Sequence, residues 1–166
     1  MDTPRSLQLK PAHFREHTFT KTYDSPYTEP QIWAWLNDSK TFIDSQTWPY
    51  RVEFLKNSTQ KNDFETGVLN THHGPFLSLA GEIGEVTPHY RDLPYFYGSY
   101  AFSFRILRPF RLEFWSEDKG DKRVVTVKLS TYVAPSFYNI WNWSQGIFWN
   151  GFGKWMNKSV KRRLSK

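Results

Sequence analysis

The chain has 166 residues, no cysteine, fourteen Phe, nine Tyr, eight Trp and a formal net charge of +6. This length suits one domain, and without Cys there is no disulfide framework, zinc–thiolate site or thiol nucleophile. The charge is uneven: no acid follows Asp121, so the basic surplus lies wholly in the C-terminal part.

Residues 1–12 are polar with two prolines and read as an extended lead-in to a domain over 13–166. The N-terminus, MDTPRSLQLKPAHF, lacks the basic-then-apolar layout of a signal peptide, and with the missing cysteine this sets a cytoplasmic expectation. His13 to Tyr23 alternates Thr and aromatic residues as a first strand does. Thr28, Pro30 and Gln31 form a helix start, with Thr28 as cap and Gln31 in the capping-box position. Ile32, Trp33 and Leu36 give that helix an apolar side over 29–37, and Phe42 and Ile43 mark a second short helix over 39–45.

From Trp48 the period changes to two. Val52 and Phe54 alternate with Arg51 and Glu53, then Phe64, Thr66 and Val68 alternate with Glu65 and Gly67. His72-His73-Gly74-Pro75 reads as a turn. Leu77 to Ile83 follows, with Gly81 and Gly84 suited to bulges or bends. Residues 88–94 read as a loop. Tyr95 to Leu107 places Phe96, Tyr100, Phe102, Phe104 and Ile106 on one face, and Phe110, Leu112 and Phe114 follow Pro109. Glu117 to Asp121 makes a hairpin turn with Gly120 free for positive φ, and Val125 to Val133 is the last strand.

Ser136 to Lys166 has helical period, with Phe137, Ile140, Trp141, Phe148, Phe152, Trp155, Met156 and Val160 on one wide face. A helix of about 28 residues would be roughly 42 Å long. Residues 136–153 carry no charge, but Asn139, Asn142, Gln145 and Asn150 with three glycines argue against a membrane span. The order is a strand, two short helices, about six antiparallel strands and one long helix. The fold class is α+β, with a curved antiparallel sheet covered by the C-terminal helix.

This layout resembles the START-like superfamily of helix-grip proteins, which includes the birch pollen allergen and polyketide cyclase/dehydrase-like bacterial proteins. Ser25-Pro26, Ile32-Trp33, Leu36 and Asp38 look like the family's first-helix pattern, and Trp48-Pro49 like the Trp-Pro that often follows its second helix. The resemblance runs from about His13 to Leu164. It implies a bent sheet around the C-terminal helix and a cavity between them for a hydrophobic or amphipathic molecule. It also directs attention to Phe96, Tyr100, Phe102, Phe104 and Phe114 from the sheet and Trp141, Phe148, Phe152 and Trp155 from the helix as ligand-binding residues. The competing reading of the same side chains is a filled aromatic core.

The expected ligand is a lipid, quinone, polyketide or aromatic compound, with no cofactor. An alternative is a cyclase- or dehydratase-type enzyme in the same cavity, with Glu82, His72 or Arg105 as its ionisable residue. Adjacent His72 and His73 face opposite sides of a strand, so no metal site is expected. A further alternative is an anionic membrane surface met by Lys158, Lys161, Arg162 and Arg163, although cations at that helix end also complement its dipole. Nucleic-acid binding ranks last, since no recognised module accompanies the basic run. GxGxxG, P-loop, GxSxG and HExxH motifs are all missing.

Overall fold

The computed structural model describes residues 8–43, 50–100, 104–120 and 122–165. Trp48-Pro49 and Phe102 lie outside them, as does the side chain of Tyr100. The chain forms β1 (Arg15–Ser25), α1 (Glu29–Leu36), α2 (Ser39–Ile43), β2 (Arg51–Leu55), β3 (Leu69–Gly74), β4 (Leu77–Glu82), β5 (Val86–Thr87), β6 (Tyr90–Tyr100), β7 (Leu107–Asp118), β8 (Arg123–Val133), α3 (Tyr138–Asn150) and α4 (Phe152–Leu164). All pairings are antiparallel, in the order β1-β8-β7-β6-β4-β3-β2, with β5 beside β6. This is the expected α+β architecture with a C-terminal helical segment against a curved sheet.

Local chemistry explains the elements. The Thr28 N–H donates to Gln31 Oε1 (2.9 Å) at the start of α1, with Pro30 in its first turn. Trp33 Nε1 donates to Ser116 Oγ (2.8 Å), which donates to Glu29 Oε1 (2.6 Å), so α1 is fixed to β7. The Ser116 bond, with His89 and Arg123 nearby, holds the Glu29 carboxyl below its usual range. At the far end Trp35 Nε1 donates to Ser159 Oγ (2.8 Å) and Arg163 pairs with Asp38, tying α1 to α4.

Besides the expected strand from Tyr95 to Leu107, which ends at Tyr100 and leaves Phe104 to Ile106 outside any strand, three strand assignments differ from the sequence reading. Phe64 to Val68 alternates but forms no strand. Asn57 Oδ1 accepts from Thr59 N–H (2.9 Å), Glu65 Oε1 from Lys61 and Asn62 N–H (both 3.0 Å), and Asn62 Oδ1 from Phe64 N–H (3.0 Å). These local bonds satisfy the backbone in turns, and Gly67 takes φ 84°. Phe64 and Val68 are buried from that loop. Second, His72-His73 lies inside β3 rather than in a turn. Third, residues 90–94 belong to β6 rather than a loop. Pro94 is tolerated there because β6 changes partner at that point, pairing β7 over Tyr90–Pro94 and β4 from Tyr95 onward.

Two bulges bend the sheet. Gly81 pairs with Tyr95 but Ala80 with Tyr97, leaving Phe96 as an extra residue in β6. Pro109 pairs with Thr131 but Arg111 with Ser130, leaving Phe110 extra in β7. Each slip shifts the side-chain phase along its strand. Phe110 consequently stacks on Tyr132 (centroids 4.3 Å apart) while Leu112 and Phe114 face inward.

The expected single long helix is divided at Gly151, although the path stays helical: Gly151 has φ −84° and ψ −14°, and Trp155 N–H donates to its carbonyl (3.1 Å). The helical asparagines and the Trp149 carbonyl bind the edge strand. His17 Nε2 meets Asn142 Oδ1 at 3.0 Å, Lys21 Nζ donates to Asn150 Oδ1 (3.1 Å), Tyr23 Oη to the Trp149 carbonyl (2.7 Å) and Ser25 Oγ to Asn157 Oδ1 (2.9 Å). A Cβ at Gly153 would stand 2.5 Å from the Tyr23 ring, whereas one at Gly146 would meet nothing within 4 Å.

These two glycines make opposite predictions. Gly146→Ala is expected to stabilise by about 0.5–1 kcal/mol through helix propensity. Gly153→Ala is expected to destabilise by about 1–3 kcal/mol, because the helix must lift off Tyr23. Urea melts of the two variants check the signs.

Candidate ligand cavity

Between the inner sheet face and α3–α4 lies a cavity of about 660 Å³. This falls within the range of small-molecule sites. Its walls are mainly apolar: Phe54, Leu77, Leu79, Leu93, Leu112 and Phe114 come from the sheet, and Trp141, Phe148, Trp149, Phe152 and Trp155 from the helices. The aromatic residues therefore line a space rather than fill it. Tyr50, Arg51 and Phe148 are exposed and also line it, which places the mouth between β2 and α3.

Of the ligand-binding residues expected from sequence, Phe114, Trp141, Phe148, Phe152 and Trp155 line this space. Phe96 does not, because it is the bulged residue of β6, and Tyr95 faces inward instead. Phe104 is 71% exposed on the connection to β7. Tyr100 pairs with Leu77 through its backbone.

Among the three ionisable candidates only His72 reaches the cavity. Glu82 ends β4 outside the lining. Arg105 turns away: its Nη2 donates to Gln8 Oε1 (2.9 Å) and its guanidinium lies 4.7 Å from the Tyr97 ring centre. Gln8 in turn donates to the Pro109 carbonyl, so this end of the lead-in is held against β7. His73 faces outward near Glu53 (3.7 Å). Among the described residues no group of three or more His, Asp or Glu is placed to hold a metal ion.

The polar end of the cavity contains residues that sequence reading did not nominate. Arg91 alternates with Leu93 and Tyr95 on β6, and all three face the space. Its period-two spacing from Leu93 and Tyr95 was the available signal, hidden by taking residues 88–94 as a loop. Arg91 as a whole is 1% exposed. Nη1 donates to the Leu36 carbonyl (2.7 Å) and Asn37 Oδ1 (3.2 Å) at the C-terminal end of α1, and the group lies 4.0 Å from the Phe64 ring centre. Its Nε has no partner. No carboxylate among the described residues pairs with it, since neighbouring Asp92 binds Arg111 (2.6 Å). Burial pulls its pKa down to about 9, which leaves it charged at neutral pH.

His72 stands edge-on to Tyr95, with ring centroids 5.8 Å apart. Its Nε2 is buried without a partner. Burial, helped by His73, lowers its pKa to about 4, so it is neutral at pH 7. Burial raises the Tyr95 phenol despite the opposing Arg91 charge. Asn70, two residues before His72 on the same sheet face, is fully buried with both amide atoms unpaired. Each such group costs on the order of 1–3 kcal/mol when it meets neither water nor partner.

The His72 shift has a measurable sign. Above about pH 6.5 both folded and unfolded states are neutral at this residue. Below it the unfolded chain takes up the proton first, so stability falls towards about pH 4, by up to about 3 kcal/mol. Urea melts from pH 7.5 to 4.5 are expected to show a weaker loss in His72→Leu than in the parent chain.

No protein-family model and no curated protein matches the chain. Solved structures do. A norcoclaurine synthase point mutant from Thalictrum flavum, in complex with a transition-state analogue, superposes with a TM-score of 0.67 at 12% identity, covering 91% of this chain and 98% of that one. Ara h 8.0201 gives 0.55 at 16% identity, covering 92% and 100%. Protein BH1534 of Bacillus halodurans gives 0.59 at 10% identity, covering 87% and 96%. At these identities the likeness concerns the fold, and the fold is START-like helix-grip.

Proposed function

We propose that this START-like chain binds a hydrophobic or amphipathic small molecule between its sheet and its C-terminal helices. The observation that carries this reading is the 660 Å³ apolar cavity, open between β2 and α3 and polar at one end. A structure of the same fold, the Thalictrum norcoclaurine synthase mutant, holds a transition-state analogue. A lipid, quinone, polyketide or aromatic body fits walls of this chemistry. Apolar burial supplies the affinity, at about 25 cal/mol per Å² before ordering costs. A cyclase- or dehydratase-type reaction in the same space would draw on His72, the ionisable sequence candidate that reaches it.

Native mass spectrometry of gently purified protein, followed by solvent extraction, is expected to find a stoichiometric apolar guest. Nile red is expected to bind the emptied protein. Leu79→Trp/Leu112→Trp, which adds bulk inside the space, is expected to weaken that binding at least tenfold without lowering Tm. Unchanged Nile red binding in this variant counts against the cavity as the site.

A second reading concerns the outer face of the helices. Ile140, Trp143 and Ile147 are 52%, 68% and 58% exposed, at spacings of three and four that put them on one stripe. The same face continues through Gly151 to exposed Lys154, Lys158 and Lys161, with Arg162 beside it. Arg163 departs from this set because it pairs with Asp38. An apolar stripe running into a basic one suits an anionic bilayer surface, with Trp143 at headgroup depth. No described helix is long and apolar enough to cross a membrane, so the contact is peripheral. Co-sedimentation with vesicles containing phosphatidylserine is expected to exceed that with neutral vesicles. Trp143→Glu, or Lys158→Gln with Lys161→Gln, is expected to cut it severalfold. Equal sedimentation with both vesicle types would remove this reading.

A further inference from the structure

We propose that the guest of this cavity is a monoanionic acid, an apolar body with one carboxylate head, and that the head is held by Arg91 with Tyr95 and His72 beside it. This rests on the cavity being the ligand site and adds the chemical class of what enters it.

Arg91 presents a buried guanidinium to the cavity. A guanidinium has five N–H donors and no acceptor. Here Nη1 is committed to the end of α1, where the helix supplies only a partial negative charge. Nε is buried without a partner, and no described carboxylate balances the charge. A buried cation without a counter-ion is costly, and the usual compensation is a paired carboxylate. Asp92, the nearest acid in sequence, faces the other side of β6 and is occupied by Arg111 through bonds of 2.6 and 2.7 Å. The charge therefore remains available to the space that Arg91 lines.

The neighbouring groups also suit an acceptor-rich head. Tyr95 keeps its proton and can donate, and neutral His72 has one N–H to give. The Tyr95 ring lies over Gly81, where a Cβ would come within 2.9 Å of it. Gly81 pairs with Asn70, whose amide is unpaired and lies two residues from His72. Thus a glycine lets Pro94 and Tyr95 of β6 close on β4, and the polar side chains of two strands, Arg91 and Tyr95 from β6 and His72 from β3, line one part of a mainly apolar space. A carboxylate accepts several hydrogen bonds from such a set, and a bidentate contact with a guanidinium is the strongest available. One buried cation matches one negative charge; Arg51, the other cation in the lining, is exposed at the mouth. The aromatic and aliphatic remainder of the walls matches an apolar tail or ring system.

The test compares matched pairs: dodecanoic acid with methyl dodecanoate, and 1-naphthoic acid with methyl 1-naphthoate. Each competes with Nile red at pH 7.5, below any critical micelle concentration. Salt at about 0.3 M shortens the screening length and suppresses attraction from the basic surface. The expected result is that at least one acid binds ten or more times tighter than its own ester. Arg91→Met is expected to bring that ratio close to one. Because Arg91 also anchors α1, circular dichroism accompanies the variant. Tyr95→Phe, which keeps the ring over Gly81, is expected to lower the ratio severalfold and gives an independent reading. Equal binding of acid and ester in the parent chain overturns the inference while leaving the cavity reading in place. An acid preference that survives both variants overturns the assignment to Arg91 and Tyr95. If neither acids nor esters compete with bound Nile red, this inference fails, and the cavity reading fails with it only where Leu79→Trp/Leu112→Trp also leaves Nile red binding unchanged.

Discussion

The structure depends on how closely the C-terminal helices are held to the edge strand β1. Asn142 and Asn150 are eight residues apart, which spans about 12 Å of helix. Their partners His17 and Lys21 are four residues apart, about 13 Å of strand. Asn157 then meets Ser25, again four strand residues further on. The two repeats match, so a row of amides can run along the strand without distorting either element. Between these links Gly153 lies on the Tyr23 ring and the phenol closes on the Trp149 carbonyl. Burial pushes that phenol up to about 12, which keeps it a donor.

A helix pinned so near one edge cannot also lie close to strands that curve away from it. The two bulges produce that curvature. Phe96 and Phe110 are extra residues in neighbouring strands, at the region where β6 exchanges β7 for β4 as its partner. Bulges increase local twist and bend. The cavity follows from the combination of close contact at β1 and a bent sheet opposite. The bulges also choose which side chains see the space, because each slip reverses the alternation. Tyr95 enters and Phe96 leaves; Leu112 enters and Phe110 goes to the outer face.

The order of elements was legible because it depends on period and punctuation. The capping residues of α1 and the hairpin at Gly120 are local signals, and the structure realises them; of the apolar face expected of the last helices, Trp141, Phe152, Trp155, Met156 and Val160 pack on the core, whereas Ile140 is exposed on the outer stripe. The amides of that helix were legible as an objection to a membrane span, but their partners on β1 were not, because a sequence does not reveal which strand lies beside a helix. The phase of β6 was misread because one inserted residue is invisible to an alternation count. Arg91 was overlooked for a related reason: Pro88 and Pro94 frame PHYRDLP as a loop, and only the change of partner at Pro94 lets it belong to a strand. His72 was assigned to a turn by Gly74-Pro75, two residues beyond its true strand position. The candidate site was therefore legible in its apolar walls and obscure at its polar end.

That division has a physical basis. Apolar walls are redundant, since many aromatic side chains can serve, and composition alone announces them. A polar end rests on a few residues whose meaning comes from burial, which depends on register. The fold keeps Arg91, His72 and Asn70 out of water with atoms unsatisfied, a cost that a filled aromatic core would avoid. Functional sites are where a chain retains such local conflicts. Phe148 shows the same tension at the opposite end. It is 71% exposed yet lines the cavity, and it follows Ile147 of the apolar outer stripe. One turn of α3 thus belongs both to the mouth and to the face that leads into the basic end of α4. Every polar link from α3 to the sheet described above ends on β1, on the flank away from this mouth. The helix is secured on one side by hydrogen bonds and faces the opening with apolar side chains.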